Sequence, residues 1–179
     1  LSGVATKTRA IVDAAHGANP ACEVLTTRKS MPGVKDLLTK AVTCGGAFPH
    51  RLGASETVLV FDHHITFMGG FEAFLEALPA LRGRCVEKKL FVEAGPDEAR
   101  RLAKAGVDGI QLDKLPVDDL AALVPELHAI DPHLTLIAAG GINLQNAAAY
   151  AATGVDGLAT TAPFTAKPID MSVRMKRAE

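Results

Sequence analysis

Ala105-Gly106-Val107-Asp108-Gly109-Ile110 is repeated as Thr153-Gly154-Val155-Asp156-Gly157-Leu158, 48 residues further along the chain. In each copy one glycine closes an amphipathic stretch and a second opens an apolar run, the punctuation of a helix end followed by a strand. A spacing of 48 residues holds two strand–helix units of about 24 residues each, a length usual for barrel units. Outward from this pair, apolar periodicity predicts helices over 6–15, 34–43, 70–81, 97–105, 117–130 and 144–152. Short apolar runs between them predict strands over 23–26, 57–61, 89–93, 109–112, 134–138 and 157–160. Pro96 and Pro116 stand where helices start, and Gly106 and Gly154 where they end. Strands that alternate with helices make a parallel sheet, and no glycine-rich dinucleotide fingerprint follows any of them. The expected architecture is α/β: an incomplete TIM-like (β/α) barrel of about six parallel strands, spanning residues 1–165.

The tail, residues 166–179, breaks this rhythm. Ile169, Met171, Val173 and Met175 alternate with Asp170, Ser172, Arg174 and Lys176, the pattern of a half-buried strand. The barrel leaves no partner for it, so pairing is expected with a segment outside this chain or with another subunit. The chain opens Leu1-Ser2-Gly3 without an initiator Met and reads as part of a longer protein.

Composition supports a packed α/β domain. Of 179 residues, 48% are hydrophobic but only 4% aromatic, so the core must be built from Ala, Leu, Val and Ile. Nineteen basic against twenty acidic residues argue against an electrostatic nucleic-acid binder. No apolar run reaches the roughly 18 residues of a membrane span, and no signal peptide is evident. Cys22, Cys44 and Cys85 are widely spaced and odd in number, as expected of reduced thiols in a cytoplasmic protein.

In barrels of this kind chemistry sits at the C-terminal ends of the strands. The first strand runs into Thr27-Arg28-Lys29, an anion site whose guanidinium can fork onto a carboxylate or phosphate. Gly45-Gly46-Ala47-Phe48-Pro49-His50-Arg51 supplies a second basic pair on a glycine-rich turn. Phe61-Asp62-His63-His64 offers a His pair, but a metallophosphoesterase would also need an Asp-x-Asp ligand motif, which the chain lacks. Glu93 and Asp113 end neighbouring strands, placed for ribose hydroxyls, a phosphate-borne Mg²⁺ or a developing positive charge. Gly140-Gly141 followed by Thr160-Thr161 matches the phosphate site of the last two strand–helix loops.

Together the stretches TTRKSMPG, GGAFPHRLG, VLVFDHHI, FVEAGPDEA, GIQLDK and AAGGINLQNAAAYAATGVDGL resemble the quinolinate phosphoribosyltransferase family (nicotinate-nucleotide pyrophosphorylase, carboxylating). The wording of the first three looks closer to its ModD branch, associated with molybdenum transport. The resemblance implies transfer of phosphoribose from PRPP to an anionic, quinolinate-like pyridine acid, with or without decarboxylation, as in NAD biosynthesis. It implies Mg²⁺ carried with PRPP, no resident metal, and a homodimer or higher homo-oligomer sharing its active sites. Carried over, Thr27, Arg28, His50 and Arg51 hold the acid substrate, and Lys29 lies between substrate and PRPP. Glu93 and Asp113 flank the ribose and Mg²⁺ and Gly140-Gly141 match a phosphate loop, to which the strand-end reading adds Thr160 and Thr161. The tail matches the family's return strand into an N-terminal α/β domain.

Departures concentrate at one end. Phe61 stands where the family usually has a lysine that contacts the acid, Pro49 and His63 replace asparagines, Ala139 a serine and Thr161 a glycine. A non-catalytic relative that binds an anionic metabolite is the alternative, and a metallophosphoesterase using Asp62-His63-His64 a distant third.

Overall fold

The computed structural model describes residues 1–53 and 56–177. The chain folds as α1 (Ser2–Ala18), β1 (Glu23–Thr26), α2 (Lys35–Cys44), β2 (Phe48–Pro49), β3 (Val58–Val60), α3 (Asp62–Phe67) and α4 (Phe71–Arg84). There follow β4 (Leu90–Glu93), α5 (Pro96–Ala105), β5 (Gly109–Asp113), α6 (Val117–Ile130), β6 (Thr135–Ala139), α7 (Ala147–Ala151) and β7 (Gly157–Thr160). A short 3-10 turn, Ala162–Thr165, follows β7. The sheet is parallel throughout, in the order β2-β1-β7-β6-β5-β4-β3.

It is seven-stranded rather than six. The added strand is β2, two residues long, pairing Phe48 with Leu25 and Pro49 with Thr26. The tail also differs: residues 166–177 adopt neither helix nor strand, and Ala178 and Glu179 lie outside the described residues. Its alternating apolar side chains stand in solvent, from 45% exposed at Ile169 to 92% at Met175.

Alternation along each strand divides two apolar layers. Val24, Val60, Leu90, Val92, Ile110, Leu112, Leu136, Ala138 and Leu158 face the helices and join Ile11, Phe74, Leu102 and Leu127 in the main core. The opposite parity forms a small inner cluster: Leu59, Phe91, Ile137, Ala139 and Ala159, with Leu25 and Phe61 against it. Leu25 and Leu59 lie on strands separated by four others in the sheet order, so sharing this cluster requires a sheet curled into a half-barrel. The seam opens between β2 and β3. Gly109 makes the interior fit: a Cβ there would lie 1.6 Å from Cε1 of Phe91.

The repeated hexapeptide does the same work twice. Gly106 takes φ +76° as the left-handed end of α5, and Gly154 takes φ +89° after α7. Val107 and Val155 are buried beneath the turn. The Asp108 carboxylate accepts the Leu90 N–H at 2.7 Å, and the Asp156 carboxylate accepts the Leu136 N–H at 2.7 Å. Each aspartate thereby satisfies an N–H at the start of a neighbouring strand, the first of β4 and the second of β6.

Candidate active site

The seven C-terminal strand ends surround one cavity of about 590 Å³. Every predicted site residue lines it: Thr27, Arg28 and Lys29 from β1, His50 and Arg51 from β2, Glu93 from β4, Asp113 from β5, Gly140 and Gly141 from β6, and Thr160 and Thr161 from β7. Register explains the convergence. Thr27, His50, Glu93, Asp113 and Thr161 continue the inward parity of Leu25, Phe91, Gly109 and Ala159.

The charges are distributed unevenly around the mouth. Arg28 and Arg51 stand close enough that Arg28, after burial, helps to lower the Arg51 guanidinium below its ordinary value. Neither has a carboxylate within ion-pair distance among the described residues. Cζ of Arg51 sits 5.7 Å from the Phe61 ring centroid, spanning the seam between the two edge strands. On the far side, Glu93 accepts a 2.6 Å hydrogen bond from Gln111 Nε2, and Asp113 pairs with Lys114 Nζ at 3.3 Å.

His50 is held inside the curl by its backbone N–H, which donates to Thr26, and by edge contact with Phe91 at 6.4 Å. Its Nε2 is buried with no hydrogen-bond partner. Burial first, and then the Arg51 charge, depress its pKa below 6.5, so it is a neutral member of the basic cluster.

The loops after β6 and β7 are tied together. Gly140 and Gly141 take φ +87° and +76° in succession, and a Cβ on Gly140 would meet the Lys114 backbone nitrogen at 2.6 Å and Asp113 Oδ1 at 2.7 Å. Lys114 itself is held at φ +56°, with its N–H on the Ala139 carbonyl at 2.8 Å. Thr160 lines the cavity, yet its buried hydroxyl donates to the Ile142 carbonyl at 2.6 Å and also accepts the Ala162 N–H. It shapes the loop after β6. Thr161 differs: its hydroxyl meets that of Thr27 at 2.9 Å, joining β7 to β1 at the cavity wall.

Sequence reasoning missed Gln111 and Lys114. The signal for Gln111 is its place between Gly109 and Asp113 on the inward parity of a strand otherwise apolar. Asp62-His63-His64 is a different arrangement from a metal centre. His64 Nδ1 accepts the Phe61 N–H at 3.0 Å, closing the first turn of α3, and His63 stacks on Phe61 with ring centroids 5.6 Å apart. No group of three or more His, Cys, Asp or Glu suited to a metal exists among the described residues. Nor is any described helix long and apolar enough to cross a membrane.

A curled parallel half-barrel that gathers cations and carboxylates at its strand ends defines an α/β domain of the barrel class. Residues 4–174 match the model of the quinolinate phosphoribosyl transferase C-terminal domain, and the chain belongs to that family. It is 45% identical to ModD of Rhodobacter capsulatus over 82% of this chain and 56% of that protein. It is 36% identical to the nicotinate-nucleotide pyrophosphorylase (carboxylating) of Mycobacterium leprae, over 90% of this chain and 56% of the relative. Among solved structures, the nicotinate-nucleotide pyrophosphorylase of Francisella tularensis superposes with TM-score 0.82 at 30% identity, over 96% of this chain and 59% of that one. NadC of Streptococcus pyogenes gives 0.83 at 26%, over 97% and 59%. The chain thus spans little more than half the length of these relatives.

Proposed function

We propose that this chain is the catalytic barrel of a ModD-like enzyme that moves phosphoribose from PRPP to an anionic pyridine-type acid and releases pyrophosphate. The observation that supports this most directly is the convergence of two guanidiniums, two carboxylates and a double-glycine loop from separate strands on one cavity. Arg28 and Arg51 hold the acid, Lys29 sits between acid and PRPP, and the Gly140-Gly141 loop takes the 5-phosphate. As the C1–O bond breaks, pyrophosphate leaves with the electron pair and the acceptor nitrogen forms the new bond to C1. Glu93 and Asp113 stabilise the positive charge that develops at C1, with Gln111 fixing the Glu93 carboxylate. The site offers no activated nucleophile, so positioning and electrostatics supply the acceleration. Two carboxylates without a third ligand among the described residues suit Mg²⁺ that arrives on pyrophosphate oxygens better than a resident metal. Bound there, the ion would neutralise charge on the leaving group.

Relatives that are longer than this chain motivate further parts of the proposal: a shared active site in a homodimer or higher homo-oligomer, a tail that returns to an additional domain, cytoplasmic location and service to molybdenum transport. The decisive experiment follows pyrophosphate released from PRPP by the intact protein with pyridine acids as acceptors. Glu93→Gln and Asp113→Asn should each lower turnover by roughly 10²-fold or more with little change in acid affinity. Acid binding without PRPP binding or turnover would establish the non-catalytic reading instead.

A further inference from the structure

Taking phosphoribosyl transfer as the reaction, the cavity restricts the acceptor further. Around its mouth the strand ends contribute Arg28, then Arg51, then Phe61, then Glu93, then Asp113. Positive charge is confined to the β1–β2 side, and the Lys114 ammonium on the opposite side is matched by Asp113. Between the two sides lies an apolar wall, Phe61 over Leu59, Ala139 and Ala159. Phe61 is fixed in place: its ring lies 9° from parallel with His63, its N–H is held by His64, and Arg51 covers it at 5.7 Å.

We propose that the acceptor is a nitrogen heteroaromatic acid with a single carboxylate, bridged by Arg28 and Arg51, its ring lying against Phe61. Two neighbouring guanidiniums with no carboxylate at ion-pair distance among the described residues repel one another, and one bridging carboxylate relieves both. With Lys29 turned toward PRPP, a second carboxylate on the adjacent ring carbon would meet either the Phe61 ring, which strips its water without replacing it, or the Glu93 carboxylate, which shares its sign. An aromatic ring has the opposite preference, since the wall buries its face and leaves its heteroatom edge toward Glu93 and Asp113.

The test is calorimetric binding of pyridine-3-carboxylate, benzoate and pyridine-2,3-dicarboxylate to the intact protein, with and without PRPP. The monoacids should bind roughly tenfold or more tightly than the dicarboxylate. Phe61→Lys should reverse that order, while Phe61→Leu should keep it and weaken both monoacids a few-fold; circular dichroism confirms that each variant is folded. Tighter binding of the dicarboxylate by the native protein, no binding of any acid, or an unchanged preference in a folded Phe61→Lys variant overturns the proposal. PRPP titrated alone separates the two levels. PRPP binding with dicarboxylate preference rejects only this inference, whereas monoacid preference without PRPP binding upholds the subsite and rejects the transfer reaction.

Discussion

Gly109 lacks a side chain because the Phe91 ring already occupies the place of its Cβ, 1.6 Å away. Both belong to the inner layer, where Phe91 pairs in register with Gly109 and supports His50 from within. Gly109→Ala must displace the ring or spread β4 from β5, and is expected to cost about 1–3 kcal/mol. Denaturant midpoints measure this, and a Phe91→Leu background should return most of the loss; an additive pair would show that the two residues are uncoupled. His50 carries a second residue-scale prediction. With its pKa below 6.5 in the folded protein, the native state binds fewer protons than the unfolded chain once the pH drops below that value. Its contribution is therefore complete above pH 6.5 and declines as the pH falls through the folded pKa. Between pH 7.5 and 5.5 the native protein should lose more stability than His50→Gln, and equal losses would refute the assignment.

At the scale of elements, the repeated hexapeptide shows how much of the fold is legible in the chain. Its glycines and valines mark helix ends and strand starts directly, and its aspartates serve strand N–H groups at β4 and β6. Asp108→Ala and Asp156→Ala should each destabilise by about 1–2 kcal/mol, since each leaves a strand donor without its charged acceptor. Chemical denaturation reads this, and Asn at either position should recover part of it. β2 was not legible, because two residues containing a proline present no alternation and pair only once β1 is in place. α3 was hidden for a related reason: its six residues start directly after Phe61, the last residue of the apolar run, and are too few to show a helical period. Gly140→Ala tests the joint between β5 and β6. Its Cβ would strike Lys114 and Asp113 from a left-handed backbone, so PRPP affinity should fall roughly tenfold or more while far-UV dichroism stays native.

Across the whole molecule, the curl of the sheet turns separate sequence motifs into one site. The basic pairs of β1 and β2 and the carboxylates of β4 and β5 were each readable as strand-end residues, but the Arg51–Phe61 contact across the seam follows only from curvature. That curvature is set by the inner layer, which is complete without the tail. The last residue packed on the main core is Ala166, and among the described residues none from 168 to 177 is buried or belongs to a helix or strand. Ending the chain at Lys167 preserves the contact between Gly3 and the Lys167 backbone while removing four exposed apolar side chains, Ile169, Met171, Val173 and Met175. The shortened barrel should keep its melting temperature within about 2 °C, because at this size a change of 1 kcal/mol moves it by roughly 2–4 °C. It should also resist association at high concentration better than the full chain, as light scattering would show. A drop of 5 °C or more would mean that the tail stabilises the barrel through contacts it makes in solution.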